Sequence, residues 1–104
     1  MKAMISEQMV QKLVEPSNKK EIPSITEIQD WLIVHMAEML DISPDEVDVT
    51  MLFAEYGLDS AMTVGMIGEL EIWLGYSLDP TLVYDYSSIE LLSQHIGSVL
   101  AANN

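Results

Sequence analysis

The 104-residue sequence has no cysteine and no arginine, and its only basic residues, Lys2, Lys12, Lys19 and Lys20, all precede residue 21. Without cysteine there is no disulfide framework, no thiolate metal site and no cysteine nucleophile. Fifteen of the seventeen acids lie after residue 20, and the net charge is −13. Nucleic acid and anionic membranes are held chiefly by Lys and Arg, so neither is an expected partner. Basic protein surfaces are, attracted at long range and released as salt rises. Long apolar runs are missing too: none reaches the length that crosses a bilayer. The N-terminus "MKAMISEQMVQKLVEP" is interrupted by acids, glutamines and Lys12, so it does not read as a signal peptide. A cytoplasmic, monomeric protein is expected, and its own Met1 suggests a free-standing one. With 49% hydrophobic residues, the chain has material for one core.

Two prolines, two serines, an asparagine and two lysines make "EPSNKKEIPS", residues 15–24, a linker. It divides a leader and linker, residues 1–20, from a domain over residues 21–104. In the leader Ile5, Met9, Val10, Leu13 and Val14 fall near helical spacing, but an isolated helix of that length is marginal in water and would be loose unless docked. The first firm helix runs from about Ser24 to Leu40. Ser24 and Glu27 form a capping box, and Ile25, Ile28, Trp31, Leu32, His35, Met36, Met39 and Leu40 give the apolar stripe. A long ordered loop follows, with room for one helical turn near "SPDE" and with Val47, Met51, Leu52 and Phe53 as plugs. A second helix begins at Ser60 and stops at Gly75. Ala61, Val64, Ile67 or Met66, Leu70 and Trp73 or Leu74 can face its core side, whereas Gly65 and Gly68 point to a close approach or an open surface. A short turn or helix near Leu82 to Tyr86 leads to a last helix. That helix is expected to be capped by Ser87 with Glu90 at the box position, and to turn Ile89, Leu92, Ile96, Val99 and Leu100 inward. No segment alternates at period two, so the class is all-α, a small four-helix bundle of three main helices and one short one.

Few residues carry chemistry. His35 and His95 sit near apolar helix positions without metal-ligand spacing and read as packing or boundary residues. Asp45, Glu46, Asp48 and Glu55 lack the spacing and central glycine of a calcium loop. "GLDSAM" is not a hydrolase elbow, because Met62 stands where the second glycine belongs. What remains is Ser60 itself. A serine after a glycine-containing loop is commonly a helix cap, yet unlike Ser24 and Ser87 it has no box partner, since Thr63 stands three residues on.

Over roughly residues 24–100 the sequence resembles the phosphopantetheine-carrying acyl and peptidyl carrier proteins. The resemblance rests on the first amphipathic helix, then "DISPDEVDVTMLFAEYGLDSAMTVGMIGELEIWLG", "YSLDPTLVYDY" and "SIELLSQHI", in that order and spacing. It implies an acyl-carrier-type bundle with no catalysis of its own, carrying acyl intermediates as thioesters on a 4′-phosphopantetheine arm attached to Ser60. Asp59 is then implied to help engage the phosphopantetheinyl transferase and its magnesium. Acyltransferase, ketosynthase and other synthase enzymes are the implied further partners. Ala61 stands where the family usually has leucine, and Met62 and Gly65 replace acids common in fatty-acid carriers, leaving Glu69 and Glu71 further on. The face near the arm, expected at Met62, Gly65 and Glu69, is therefore more apolar. Together with "TLVYDYSS", similar to the "TLxFDYPT" of modular polyketide and peptide synthase carriers, this favours a specialised pathway over housekeeping fatty acid synthesis. The alternative is an acidic helical adaptor that keeps the carrier fold and binds a partner unmodified.

Overall fold

The computed structural model describes residues 22–102, and the leader with its expected helix lies outside them. Four helices follow in order: α1 Ile25–Leu40, α2 Ser60–Leu74, α3 Leu82–Asp85 and α4 Ile89–Ala102. Single 3-10 turns at Pro44–Glu46 and Phe53–Tyr56 interrupt the long loop between α1 and α2. The all-α class and the three-plus-one helix count stand as expected.

α1 begins where the capping box places it. Ser24 Oγ accepts the Glu27 N–H at 3.1 Å, and Glu27 Oε1 accepts the Ser24 N–H at 2.8 Å, so two end donors of the helix are satisfied reciprocally. It ends on Asp41, which takes the left-handed conformation at φ 59, a position that Asp tolerates better than most residues. Ile28, Leu32 and Met36 from α1 meet Met66, Ile67 and Leu70 from α2 and Ile89, Leu92 and Ile96 from α4 in one core. At Gly97, α4 lies close against the start of α1. A Cβ there would collide with Ile25 Cγ1 and sit 3.3 Å from Ile25 Cα, so only glycine lets the start of α1 lie on α4.

Several expected positions move. α4 is capped by Ser88, not Ser87: Ser88 Oγ accepts the Leu91 N–H at 3.2 Å. Ser87 is drawn away because its carbonyl accepts the Phe53 N–H at 2.9 Å, next to an isolated antiparallel bridge between Leu52 and Ser88. The Glu90 N–H likewise donates to the Val49 carbonyl, so the long loop is tied to the entry of α4. Val99 lies on the outside, because Ser93 and Gly97 take the inner positions between Leu92, Ile96 and Leu100. Among the loop plugs Phe53 is buried and Leu52 is exposed, and Leu58, not foreseen, is a buried anchor. Tyr56 closes the loop from within. Its hydroxyl donates to the Asp48 carbonyl at 2.7 Å and accepts the Asp48 N–H at 2.6 Å.

Candidate functional site

The segment before α2 is built to present two side chains. Gly57 adopts φ 84, a left-handed turn that a residue with a Cβ takes only at a cost. The turn drops Leu58 into the core and leaves Asp59 and Ser60 exposed. Asp59, not Ser60, caps α2: its Oδ1 accepts the Met62 N–H at 2.9 Å, and its carbonyl accepts the Thr63 N–H at 3.1 Å. Ser60 is the first residue of the helix. The reading of Ser60 as the helix cap is corrected, because the carboxylate one residue earlier already occupies the cap.

With the cap supplied by Asp59, the Ser60 hydroxyl has no hydrogen-bond partner among the described residues. Beneath it the Thr63 hydroxyl donates to the Ser60 carbonyl at 3.0 Å, pinning the first turn from the buried side. The helix N-terminus adds unpaired N–H groups and the positive end of the backbone dipole, a setting that suits a phosphodiester. Beside Ser60 opens a mainly apolar cleft of about 420 Å³, whose walls include Phe53, Leu58, Val83 and Tyr84. An exposed hydroxyl, a dipole suited to phosphate and an apolar cleft fit the attachment of a flexible phosphate-linked arm.

The outer surface of α2 departs from its expected orientation in part. Gly65 and Glu69 are exposed and Met62 is half-buried against the edge of the core. Val64, Ala61 and Trp73, named as candidates for the core side, are exposed, and Thr63, Met66, Ile67, Leu70 and Leu74 are buried instead. Apolar residues surround this helix on all sides, so periodicity could not choose the buried face. Among the described residues, nothing beyond the helix's own nearby backbone and the chain neighbours lies within 4 Å of a Cβ added at Gly65 or Gly68. Of the two glycine readings, the open surface is therefore the one the structure shows. Glu71, grouped with the surface acids from sequence, is half-buried, and its Oε2 accepts the Leu78 N–H at 2.6 Å to hold the chain after Gly75.

Two loop carboxylates are held below the usual aspartate range. Asp48 accepts from the hydroxyl and then the N–H of Thr50, and Asp79 from the N–H and then the hydroxyl of Thr81. The described residues hold no group of three or more His, Asp or Glu placed to bind a metal. His35 stacks on Trp31 at 4.8 Å and His95 on Tyr86 at 4.0 Å, so both act as ring partners.

Residues 30–96 match the family model described as the phosphopantetheine attachment site. The acyl carrier protein TtuC of Teredinibacter turnerae is 35% identical over 78 residues, which cover 73% of this chain and 90% of TtuC. The polyketide synthase ThaG of Burkholderia thailandensis is 33% identical over 67 residues, 64% of this chain and only 1% of that protein. Among solved structures, an acyl carrier protein from Anabaena sp. PCC 7120 with a variant phosphopantetheinylation-site sequence superposes with a TM-score of 0.71. The two are 38% identical, with 76% of this chain and 91% of that one covered.

Proposed function

The chain belongs to the family of phosphopantetheine-carrying acyl carrier proteins, and on that premise we propose that Ser60 is where its 4′-phosphopantetheine is attached. The observation that carries this assignment is the free, exposed Ser60 hydroxyl at the N-terminus of α2, with the cap supplied by Asp59. The arm, when attached, supplies the thiol that the sequence lacks, on which acyl groups ride as thioesters. The chain's own residues orient and present: Gly57 and Leu58 fix the turn, Thr63 pins the first helical turn, and the dipole of α2 faces the phosphate.

Asp59 has a second proposed role, engagement of the phosphopantetheinyl transferase, for which its exposed carboxylate is available. Met62, Gly65 and Glu69 form the proposed surface for partner enzymes such as an acyltransferase or ketosynthase. Ala61, which differs from the family's usual leucine, is compatible with modification in light of the Anabaena carrier, whose site sequence is also a variant. Similarity to TtuC and to carrier segments of polyketide synthases supports a place in polyketide-like or specialised lipid biosynthesis. We read the protein as a non-catalytic, cytoplasmic monomer whose carrier domain spans residues 21–104. No helix among the described residues is long and apolar enough to cross a membrane. The unmodified-adaptor alternative draws no support from this family membership.

Intact-mass measurement after coexpression with a broad-range phosphopantetheinyl transferase tests the assignment. One added phosphopantetheine is expected on the natural chain and none on Ser60→Ala. A Ser60→Ala chain that still gains the arm, or a natural chain left unmodified beside a fully modified control carrier, overturns it.

A further inference from the structure

Both tryptophans of the protein lie on one surface, far from Ser60. Trp31, six residues into α1, stacks on Trp73 near the end of α2, with ring centroids 5.7 Å apart. Trp31 is half-buried against the core, but Trp73 is 42% exposed and its neighbour Ile72 is 78% exposed. Large apolar side chains so placed mark a surface that something else covers. Its border is acidic. Glu27 lies one turn before Trp31, Glu69 one turn before Trp73, and Asp30 beside them on α1; all three are exposed. Residues 22–102 contain no Lys or Arg to pair with them.

The chemistry that fits this surface is an apolar stripe edged with cations, and the same chain contains one. Residues 1–14 place Ile5, Met9, Val10, Leu13 and Val14 near helical spacing, with Lys2 and Lys12 among them and Lys19 and Lys20 just beyond. Residues 15–24 connect this stretch to α1 and can span at most about 35 Å when extended. Trp31 lies only about 9 Å along the axis from the first residue of α1. A short amphipathic helix gains most of its stability from the surface that receives its apolar face.

We propose that residues 1–14 lay their apolar positions over the Trp31–Trp73 surface and set their lysines against the acids that border it. The inference is independent of the attachment of an arm to Ser60, because the surface lies at the other end of α2. It assigns the leader a place on the carrier and explains why all of the positive charge is gathered there.

Because the protein has no other tryptophan, its fluorescence reports on this surface alone. The full chain is compared with the full-length variants Met9→Glu/Leu13→Glu and Lys2→Glu/Lys12→Glu. All four substitutions lie outside the bundle. Removing the apolar cover should shift tryptophan emission to the red and raise the acrylamide quenching constant roughly two-fold. The charge variant should give a smaller change in the same direction, and one that disappears at high salt. Emission and quenching identical in all three chains overturn the proposal. Protection that grows with protein concentration also overturns it, by assigning the cover to a second copy.

Discussion

At the scale of single residues, the cap and the proposed attachment point at the start of α2 are neighbours with separable duties. Asp59→Ala removes the carboxylate that accepts the Met62 N–H and should cost about 1 kcal/mol of stability, whereas Asp59→Asn keeps an acceptor there and should cost much less. Ser60→Ala removes a hydroxyl with no partner among the described residues and should stay within about 0.5 kcal/mol. Thermal melts of the three variants, read beside their mass gain with a transferase, separate folding from modification. If Asp59→Asn folds normally and modifies poorly, the carboxylate acts on the transferase. Asp48 offers a titration at the same scale. The Thr50 hydroxyl and N–H stabilise its charged form, so its carboxyl titrates below the usual range. The contribution of this turn to stability is fully present above the unfolded-state pKa and fades as the pH falls through the lower folded value. Thr50→Val should move the Asp48 titration upward, read by carboxyl NMR, and leave the Asp79 titration in place.

At the scale of elements, two glycines with opposite surroundings give opposite predictions. Gly97 is pressed against Ile25, so Gly97→Ala should force α1 off α4 and cost about 1–3 kcal/mol. Gly65 faces open space, so Gly65→Ala should raise stability by up to about 1 kcal/mol through helix propensity. Gly65→Arg should fold normally and slow transfer to or from partner enzymes. Melting temperatures and single-turnover transfer rates check these outcomes, and an unimpaired Gly65→Arg would remove α2 from the partner surface. What the sequence disclosed about these elements followed their chemistry. α1 was legible because Ser24 and Glu27 sit at box spacing and its stripe is one-sided. The entry of α4 was misplaced by one residue because Ser87 and Ser88 are equivalent as caps, and only the pairing of Ser87 with Phe53, 34 residues earlier, distinguishes them. The inner face of α2 was hidden because its exposed residues are as apolar as its buried ones. The turn that presents Ser60 was readable from Gly57. Its cap was not, since an Asp followed by a Ser gives two good caps in a row.

At the scale of the whole molecule, charge of one sign governs behaviour. Residues 22–102 contain fourteen acids and no Lys or Arg, so the domain repels itself and gains no ion pair of its own from those side chains. Raising ionic strength from about 0.01 to 0.15 M should therefore increase the melting temperature. The same increase should slow association with a basic transferase, whereas neutralising any one exposed acid other than Asp59 should change the rate far less. Stopped-flow association rates across a salt series decide the second point, with flat rates assigning recognition to the apolar surface near Met62 and Gly65. The stacking of Trp31 on Trp73 also has a chemical consequence for the cargo. It shows that α1 begins beside the end of α2, and the 15 residues of α2 separate that end from Ser60 by about 20 Å. The chain that carries all four lysines thus enters the described domain at the end opposite the proposed attachment point. A thioester swinging over residues 22–102 meets carboxylates, hydroxyls and two imidazoles held in ring stacks, but no primary amine and no thiol that could capture it. With the arm on Ser60, residues 22–102 would therefore offer a loaded acyl group no amine for aminolysis and no thiol for exchange, and over that surface it would leave by way of water or a partner enzyme.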